Sequence, residues 1–332
     1  MRGYGTFLWG VMGAGLGLMA TGAHAQSAPT GSGQGWPAKS IRFVSPYAPG
    51  GGSDILARGI GQKLAENLGV SVVIDNRPGA GGVIGTEIVT KSPPDGYTLM
   101  LGTPAPITVA PSLMKRMPYD PLRDLTPITL VSIVPAVVAV HPSVPAKSIK
   151  ELVALAKARS GQMTYSSSGN GGTAHLSGLM LQTMAGIDII HVPYRGTGPA
   201  LTAAMSGEVT FTAGNIISSL PMVKAGRVRA LAVTSEKRSP VLPDVPAVAE
   251  TIPGYAAGPF YGVLGPGHMP PDLVNRIRNE IAKILHAPEM KNRLSAEGGE
   301  PIGSTPEVYA AMIRTETERW GKVIKAAKIQ PE

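Results

Sequence analysis

No cysteine occurs among the 332 residues. That excludes disulfides, thiolate metal sites and a lipid-modified N-terminal cysteine. Aromatic residues are scarce, at 5%. The formal charge of +8 comes from scattered Lys and Arg, with no basic run and no aromatic ladder beside them. Such a pattern argues against a nucleic-acid surface and reads as a solvated exterior with a mild preference for anions. Long apolar runs are missing too: the stretch Phe7 to Met19 is too short to span a bilayer comfortably, and nothing later reaches that length. The mature chain is therefore expected to be soluble and not membrane-spanning.

The sequence also lacks the signatures of common enzymes. It has no G-x-x-x-x-G-K-[ST] phosphate loop and no G-x-S-x-G nucleophile elbow. Gly79 to Gly85 approaches a dinucleotide fingerprint, but the third glycine is displaced by one and no acidic residue follows at the required distance. His141, His175, His191, His268 and His286 include no H-E-x-x-H and no metal-spaced pair. Asp54 and Glu87 have no visible acid/base partner, and an aspartate complementing a helix dipole accounts for Asp54. No cofactor, metal or catalytic residue is expected.

What is present is glycine and proline, 42 and 31 residues, within a chain that is 43% hydrophobic. This suits many short elements joined by turns around a packed core, and the length suits roughly two domains. Residues 1–25 read as an export signal: Arg2 gives the positive n-region, Phe7 to Met19 the apolar stretch, and Ala23-His24-Ala25 the cleavage site. Residues 26–37 read as a disordered leader rich in Ser, Gly, Pro and Gln. An exported chain with no anchor points to a periplasm.

The chain is organised around Ser45 to Asp54. Ile41 to Val44 are strand formers, and Leu56, Ile60, Leu64 and Leu68 lay an apolar stripe on a helix over 55–68. Three glycines, Gly50, Gly51 and Gly52, let the backbone approach a ligand, and Ser53 fits an N-cap. The first N–H groups of a helix lack internal partners and carry the positive end of its dipole, so this turn is a candidate anion seat. A plain connecting turn has the same composition.

Strands over 71–76 and 98–101 alternate with a helix over 83–90, which predicts a parallel sheet with ligands beyond the strand carboxyl ends. Thr103 lies there. Ile128 to Val140 reads as one buried crossing strand, and the alternation then restarts. In this second half Ser166, Ser167, Ser168, Asn170 and Thr173 precede a helix over 174–185, while Tyr194 and Arg195 sit on a further turn. The first group is a second anion seat or an ordinary capping turn, and Arg195 is either a ligand contact or a surface residue. Tyr255 to Leu264 reads as a second crossing, followed by a helix striped by Val274, Ile277, Ile281 and Leu285. Two crossings imply two lobes with a cleft between them.

These stretches carry a resemblance. Pro46-Tyr47-Ala48-Pro49-Gly50-Gly51-Gly52-Ser53-Asp54, Asn76-Arg77-Pro78-Gly79-Ala80-Gly81-Gly82, Pro94-Asp95-Gly96-Tyr97 and His191-Val192-Pro193-Tyr194-Arg195-Gly196 occur in this order. With Ala225-Gly226-Arg227-Val228-Arg229 and Pro243-Asp244-Val245-Pro246, they resemble the Bug-type receptors of tripartite tricarboxylate transporters. The resemblance implies an α/β, two-lobed, type II-like Venus-flytrap binding protein, each lobe a mainly parallel sheet flanked by helices, joined by two hinge crossings. Lobe 1 is expected over 38–134 and 262–332, and lobe 2 over 135–261. It further implies a small carboxylate ligand, integral membrane permease subunits as partners, and a monomer. Carried over by position, the binding residues are Tyr47, Ala48, Pro49, Gly50, Gly51, Gly52, Ser53, Thr103, Ser167, Ser168, Gly169, Asn170, Gly171, Thr173, Tyr194, Arg195 and Asn215. One departure stands out: where the family carries an aspartate after Gly207-Glu208-Val209 and an Asp-Asn pair at the end of that strand, this chain has Thr210 and Gly214-Asn215. Loss of that acid implies a di-, tri- or aromatic carboxylate without an amine. A receptor for an ATP-driven importer or a signalling partner would share the fold, and a periplasmic hydrolase is the alternative from another class.

Overall fold

The computed structural model describes residues 35–296, 298–326 and 329. The expected export signal and nearly all of the expected leader lie outside them. The first half alternates strand and helix: β1 (Ile41–Ser45), α1 (Gly52–Leu68), β2 (Val72–Asn76), α2 (Val83–Thr90) and β3 (Thr98–Gly102). A π turn over Ala105–Val109 runs into the short α3 (Ala110–Leu113), and β4 (Leu125–Ile133) follows. The second half holds β5 (Ala136–Val140), α4 (Ile149–Ala158), β6 (Thr164–Ser167), α5 (Thr173–Ala185), β7 (Ile190–Pro193) and α6 (Thr197–Ser206). It continues with β8 (Phe211–Asn215), α7 (Ile216–Lys224) and β9 (Arg229–Val233). The chain then forms β10 (Phe260–Pro266), α8 (Pro271–His286), α9 (Pro288–Ala296), β11 (Glu300–Pro301) and α10 (Pro306–Ala326).

Two sheets result, in the orders β11-β4-β10-β3-β1-β2 and β7-β6-β8-β5-β9. Both are mixed. The strand–helix–strand portion of each is parallel, β1 with β2 and β3, and β6 with β7 and β8. To it are joined antiparallel strands, β10 between β3 and β4, and β5 between β8 and β9. The reason is geometric. A strand that has just crossed from the other lobe enters at the cleft and runs away from it, against neighbours whose carboxyl ends face the cleft.

The apolar run from Ile128 to Val140, read as one strand, is two: β4 ends at Ile133, Val134 and Pro135 cross, and β5 begins at Ala136 in the other sheet. Pro135 lacks the N–H a continuous central strand would need. On the return, Phe260 and Tyr261 already pair with Ile133 and Ser132 of β4. These two residues thus join the first sheet, ahead of the expected 261/262 boundary. Helix α10 serves both lobes. Tyr309 and Ile313 pack in the cluster of the first sheet, whereas Trp320 and Ile324 pack in that of the second, and Arg319 donates to the Ala256 carbonyl at 2.6 Å.

Candidate binding site

The turn between β1 and α1 is held from behind by Asp54. Its Oδ2 accepts from the Gly50 N–H at 3.0 Å and from Arg58 Nε at 2.9 Å, and its Oδ1 from Asn76 Nδ2 at 3.0 Å. Burial acts to raise this carboxyl's pKa, but the bonds from Arg58, Gly50 and Asn76 outweigh it and hold the pKa below the ordinary value. Asn76 also donates to the Tyr47 carbonyl at 3.0 Å, which pins the start of the turn. Because Asp54 reaches back in this way, α1 opens at Gly52 with Gly51 as its N-cap. Ser53, expected to be the cap, instead sits inside the first turn with its hydroxyl 3.4 Å from that of Ser45. Tyr47 donates to the Gly81 carbonyl at 3.1 Å and meets Thr103 Oγ1 at 3.1 Å, and burial pushes its phenol up to about 12.

On the second lobe three more helices begin at the cleft. Helices α5 and α6 start after Gly172 and Gly196, and neither N-cap supplies a side-chain bond. Helix α7 is closed off: Asn215 Oδ1 accepts from the Ile217 N–H at 2.8 Å, and the Ile216 N–H donates to the Pro135 carbonyl at 3.1 Å. The Asn215 amide then crosses to the first lobe, donating to the Tyr261 hydroxyl at 2.6 Å. Gly52 allows this approach, since a Cβ there would stand 2.8 Å from Asn215 Oδ1 and 2.9 Å from the Tyr261 hydroxyl.

Between the lobes lies a narrow cavity of about 30 Å³, far below the about 300–1,000 Å³ of small-molecule sites, so a ligand enters only when the lobes part. The first lobe lines it with Tyr47, Ser53, Thr103, Pro104, Ala105, Pro259 and Tyr261. The second contributes Ser168, Thr173, Ala174, Thr197, Ala200 and the end of β8 from Thr212 to Asn215. No charged side chain is among them. The uncapped starts of α1, α5 and α6 all reach this wall, through Ser53, Thr173 and Thr197. Among the described residues the hydroxyls of Ser168, Thr173 and Thr197 have no hydrogen-bond partner. An arrangement of helix dipoles and idle donors without a fixed cation favours a small anion.

The expected site residues fall into three groups. Tyr47, Ser53, Thr103, Ser168, Thr173 and Asn215 line the cavity. Gly169, Asn170, Tyr194 and Arg195 line an adjoining crevice against Gly79 to Gly82, which shares Tyr47 and Ser168 with the cavity. Arg195 is exposed there, and Tyr194 is tied to Glu208 Oε1 at 2.6 Å. The remaining residues stand behind the wall or where the lobes touch. The Ala48 N–H donates to the Arg195 carbonyl at 3.3 Å, and a Cβ on Gly198 would lie 3.3 Å from the Pro49 carbonyl. Gly50 is taken by Asp54, Gly51 faces Thr197, Gly52 faces Asn215, and Gly171 packs near Val109. Ser167 is fully buried, with its hydroxyl committed to Gly169 and His191. Sequence reasoning missed Thr197 and Tyr261. Thr197 had a signal, since Gly52-Ser53, Gly172-Thr173 and Gly196-Thr197 all place a hydroxyl residue directly after glycine at an uncapped helix start. Tyr261 had none, being one tyrosine within an apolar crossing.

Residues 56–329 match the family described as the tripartite tricarboxylate transporter family receptor. The chain belongs to that family. Protein BugT of Bordetella pertussis is 36% identical over 292 residues, covering 87% of this chain and 90% of BugT. The structure of R. palustris Rpa4515 with adipate is 37% identical with a TM-score of 0.87, covering 90% of this chain and all of that one. MatC from Rhodopseudomonas palustris with bound malate is 30% identical with a TM-score of 0.83, covering 87% of this chain and all of that one. The tripartite tricarboxylate transporter receptors are periplasmic solute-binding proteins and not enzymes, and the present chain is one of them. Among the described residues no group of three metal-ligating side chains converges, and no helix is long and apolar enough to cross a membrane.

Proposed function

We propose that this receptor captures a small organic carboxylate that carries no amine, closing two lobes over it and delivering it to the membrane permease of a tripartite transporter. One observation carries the reading: three helices begin uncapped at a cavity that contains idle hydroxyls and no charged side chain. Hydrogen bonds to an ionised acceptor contribute roughly 1.5–3 kcal/mol each, so a carboxylate is held without a lysine or arginine. An ammonium group would find neither a carboxylate nor the negative end of a helix there, and pays its desolvation uncompensated. That two of the similar structures hold adipate and malate supports the same class. The mature chain would begin near Gln26 and act as a periplasmic monomer.

Thermal-shift and calorimetric titration against adipate, malate, aromatic acids, their 2-amino analogues and sugars tests this. A ligand at a hundred times its dissociation constant adds about 2.7 kcal/mol to folding stability. Carboxylates are expected to shift the melting curve and to bind more tightly than the amino analogues. Shifts with sugars or cations alone, or tighter binding of the amino acids, overturn the reading. Thr173→Val and Thr197→Val are each expected to weaken the best acid roughly tenfold to a hundredfold. Thr202→Val, whose hydroxyl bonds the Gly198 carbonyl on the exposed side of α6, should leave affinity unchanged.

A further inference from the structure

Behind the second-lobe wall of the cavity two histidines lie ring on ring. His175 of α5 and His191 of β7 stack with centroids 4.1 Å apart and planes 19° from parallel. His175 holds one peptide group of the turn that joins β6 to α5 directly, and His191 reaches another through the Ser167 hydroxyl. His175 Nδ1 accepts from the Gly171 N–H at 3.0 Å, so its own proton is assigned to Nε2. His191 Nε2 meets Ser167 Oγ at 2.5 Å, and that hydroxyl accepts from the Gly169 N–H at 3.1 Å and donates to the Gly169 carbonyl at 3.0 Å. A serine has one proton to give. All these bonds are satisfied together only when His191 Nε2 carries a proton and donates it to Ser167. Between the two fixed peptides stands Asn170, whose carbonyl faces Gly81 of the first lobe, and beside them Ser168 turns into the cavity.

We propose that His175 and His191 are positioning residues for ligand capture: as a neutral stacked pair they set the turn that carries Ser168 and opens α5, and protonation of His175 lets that turn go. This rests on the cavity being the binding site. The chemistry is specific to imidazole. A ring nitrogen accepts from a backbone N–H only while it is unprotonated, and a proton on His175 Nδ1 would face the Gly171 N–H donor to donor. Burial lowers His175 to about 4, and burial followed by the neighbouring His175 ring lowers His191 to about 3. The titratable group that faces the pair from β6 is the Tyr165 phenol, with its ring 5.1 Å from that of His191 and its hydroxyl donating to the His175 carbonyl. Tyr255 stands beyond it, bonded to the Ser177 carbonyl. No carboxylate contributes to either shift.

The test follows the Gly169 and Gly171 amides and the histidine ring protons by NMR in the ligand-free mature chain, from about pH 7 to about pH 3.5, with adipate binding measured in parallel. Three chains are compared: wild type, His175→Gln, whose amide oxygen can accept from Gly171 but does not titrate, and His175→Leu, which cannot accept. In wild type the Gly171 amide should lose protection in step with the His175 ring titration, and adipate affinity should fall by about tenfold or more beyond the fall that adipate's own protonation causes in His175→Gln. His175→Gln should keep Gly171 protection at low pH and lose only the affinity that protonation of adipate itself removes, and His175→Leu should lack Gly171 protection throughout. The same Gly171 behaviour in all three chains, or an acid loss of affinity equal in wild type and His175→Gln, overturns the proposal. Should adipate and every other acid fail to bind wild type at neutral pH, the proposed function falls. The amide measurement then still decides whether the rings hold the turn.

Discussion

On the first lobe the turn before α1 is tied down by a carboxylate; on the second, the turn before α5 is tied down by two imidazoles. Asp54 has each oxygen occupied, by Asn76 on one side and by Gly50 and Arg58 on the other. Its charge sits where the α1 dipole favours it and is neutralised by Arg58, so it repels an incoming anion little. His175 and His191 do the equivalent work with no charge at all. The difference matches what each side presents to the cavity. The second lobe brings two uncapped helix starts and the idle hydroxyls of Ser168, Thr173 and Thr197, and a neutral support leaves their field undiminished. The first brings one uncapped start and four engaged hydroxyls, Tyr47, Ser53, Thr103 and Tyr261, and there a charged clamp does little harm. Anion attraction is thus concentrated on the second lobe, and the first acts more as a shaped lid.

The sharpest way to break this pairing is at the point where the turns touch. Gly81 has φ +64°, and a Cβ there would run into the carbonyl oxygen of Asn170, a backbone atom that cannot swing aside. Gly81→Asn, whose side chain tolerates a left-handed backbone, should therefore obstruct closure while leaving each lobe folded. Overpacking costs about 1–3 kcal/mol, and a penalty confined to the closed state lowers affinity by roughly fivefold to 150-fold. Calorimetry on the best-binding acid, with small-angle scattering to report closure, reads the effect. Unchanged affinity together with unchanged compaction would show that the lobes do not meet here when ligand is bound.

Next comes the clamp itself. Asp54→Asn removes the ionised acceptor that Gly50, Arg58 and Asn76 share, and should cost about 1–3 kcal/mol of folding stability near neutral pH by urea denaturation. Its acid behaviour has a definite sign. The folded carboxyl titrates below its ordinary 3.8, so its stabilisation is complete above that value and is lost as pH falls through the lowered one. The gap between wild type and variant should close only in that acid window. A gap that closes well above it would mean another group is the clamp.

Much of this comparison was legible in the sequence, and the rest was hidden for identifiable reasons. Gly50 to Asp54 and Ser166 to Thr173 announced themselves as glycine- and hydroxyl-bearing helix starts, because that composition is local to a few residues. The apolar stretch over 128–140 looked continuous because Val134 and Pro135 are as apolar as their neighbours; only the split between two sheets separates β4 from β5. The histidines showed no spaced pair because His175 and His191 lie on different elements, and parallel pairing of β6 with β7 is what brings the two rings together. Tyr261 is in the cavity because β10 pairs with β4 in a particular register, which no local pattern encodes.

The smallest expected effect separates the two parts of the Asp54 clamp. Arg58 lies on the solvent side, its side chain 54% exposed against 5% for Asp54. Ion pairs with one partner so exposed contribute about 0.2–1 kcal/mol, whereas the amide donors from Gly50 and Asn76 are shielded with the carboxylate. Arg58→Gln should therefore lower stability by no more than that range and leave ligand affinity within about twofold, read by the same urea titration and calorimetry. If Arg58→Gln costs as much as Asp54→Asn, the ion pair rather than the pair of amides holds the first turn. The two lobes would then differ more than proposed, with a salt-sensitive latch facing a neutral one. Repeating both titrations in high salt distinguishes these cases, because screening erodes the exposed pair and spares the buried bonds.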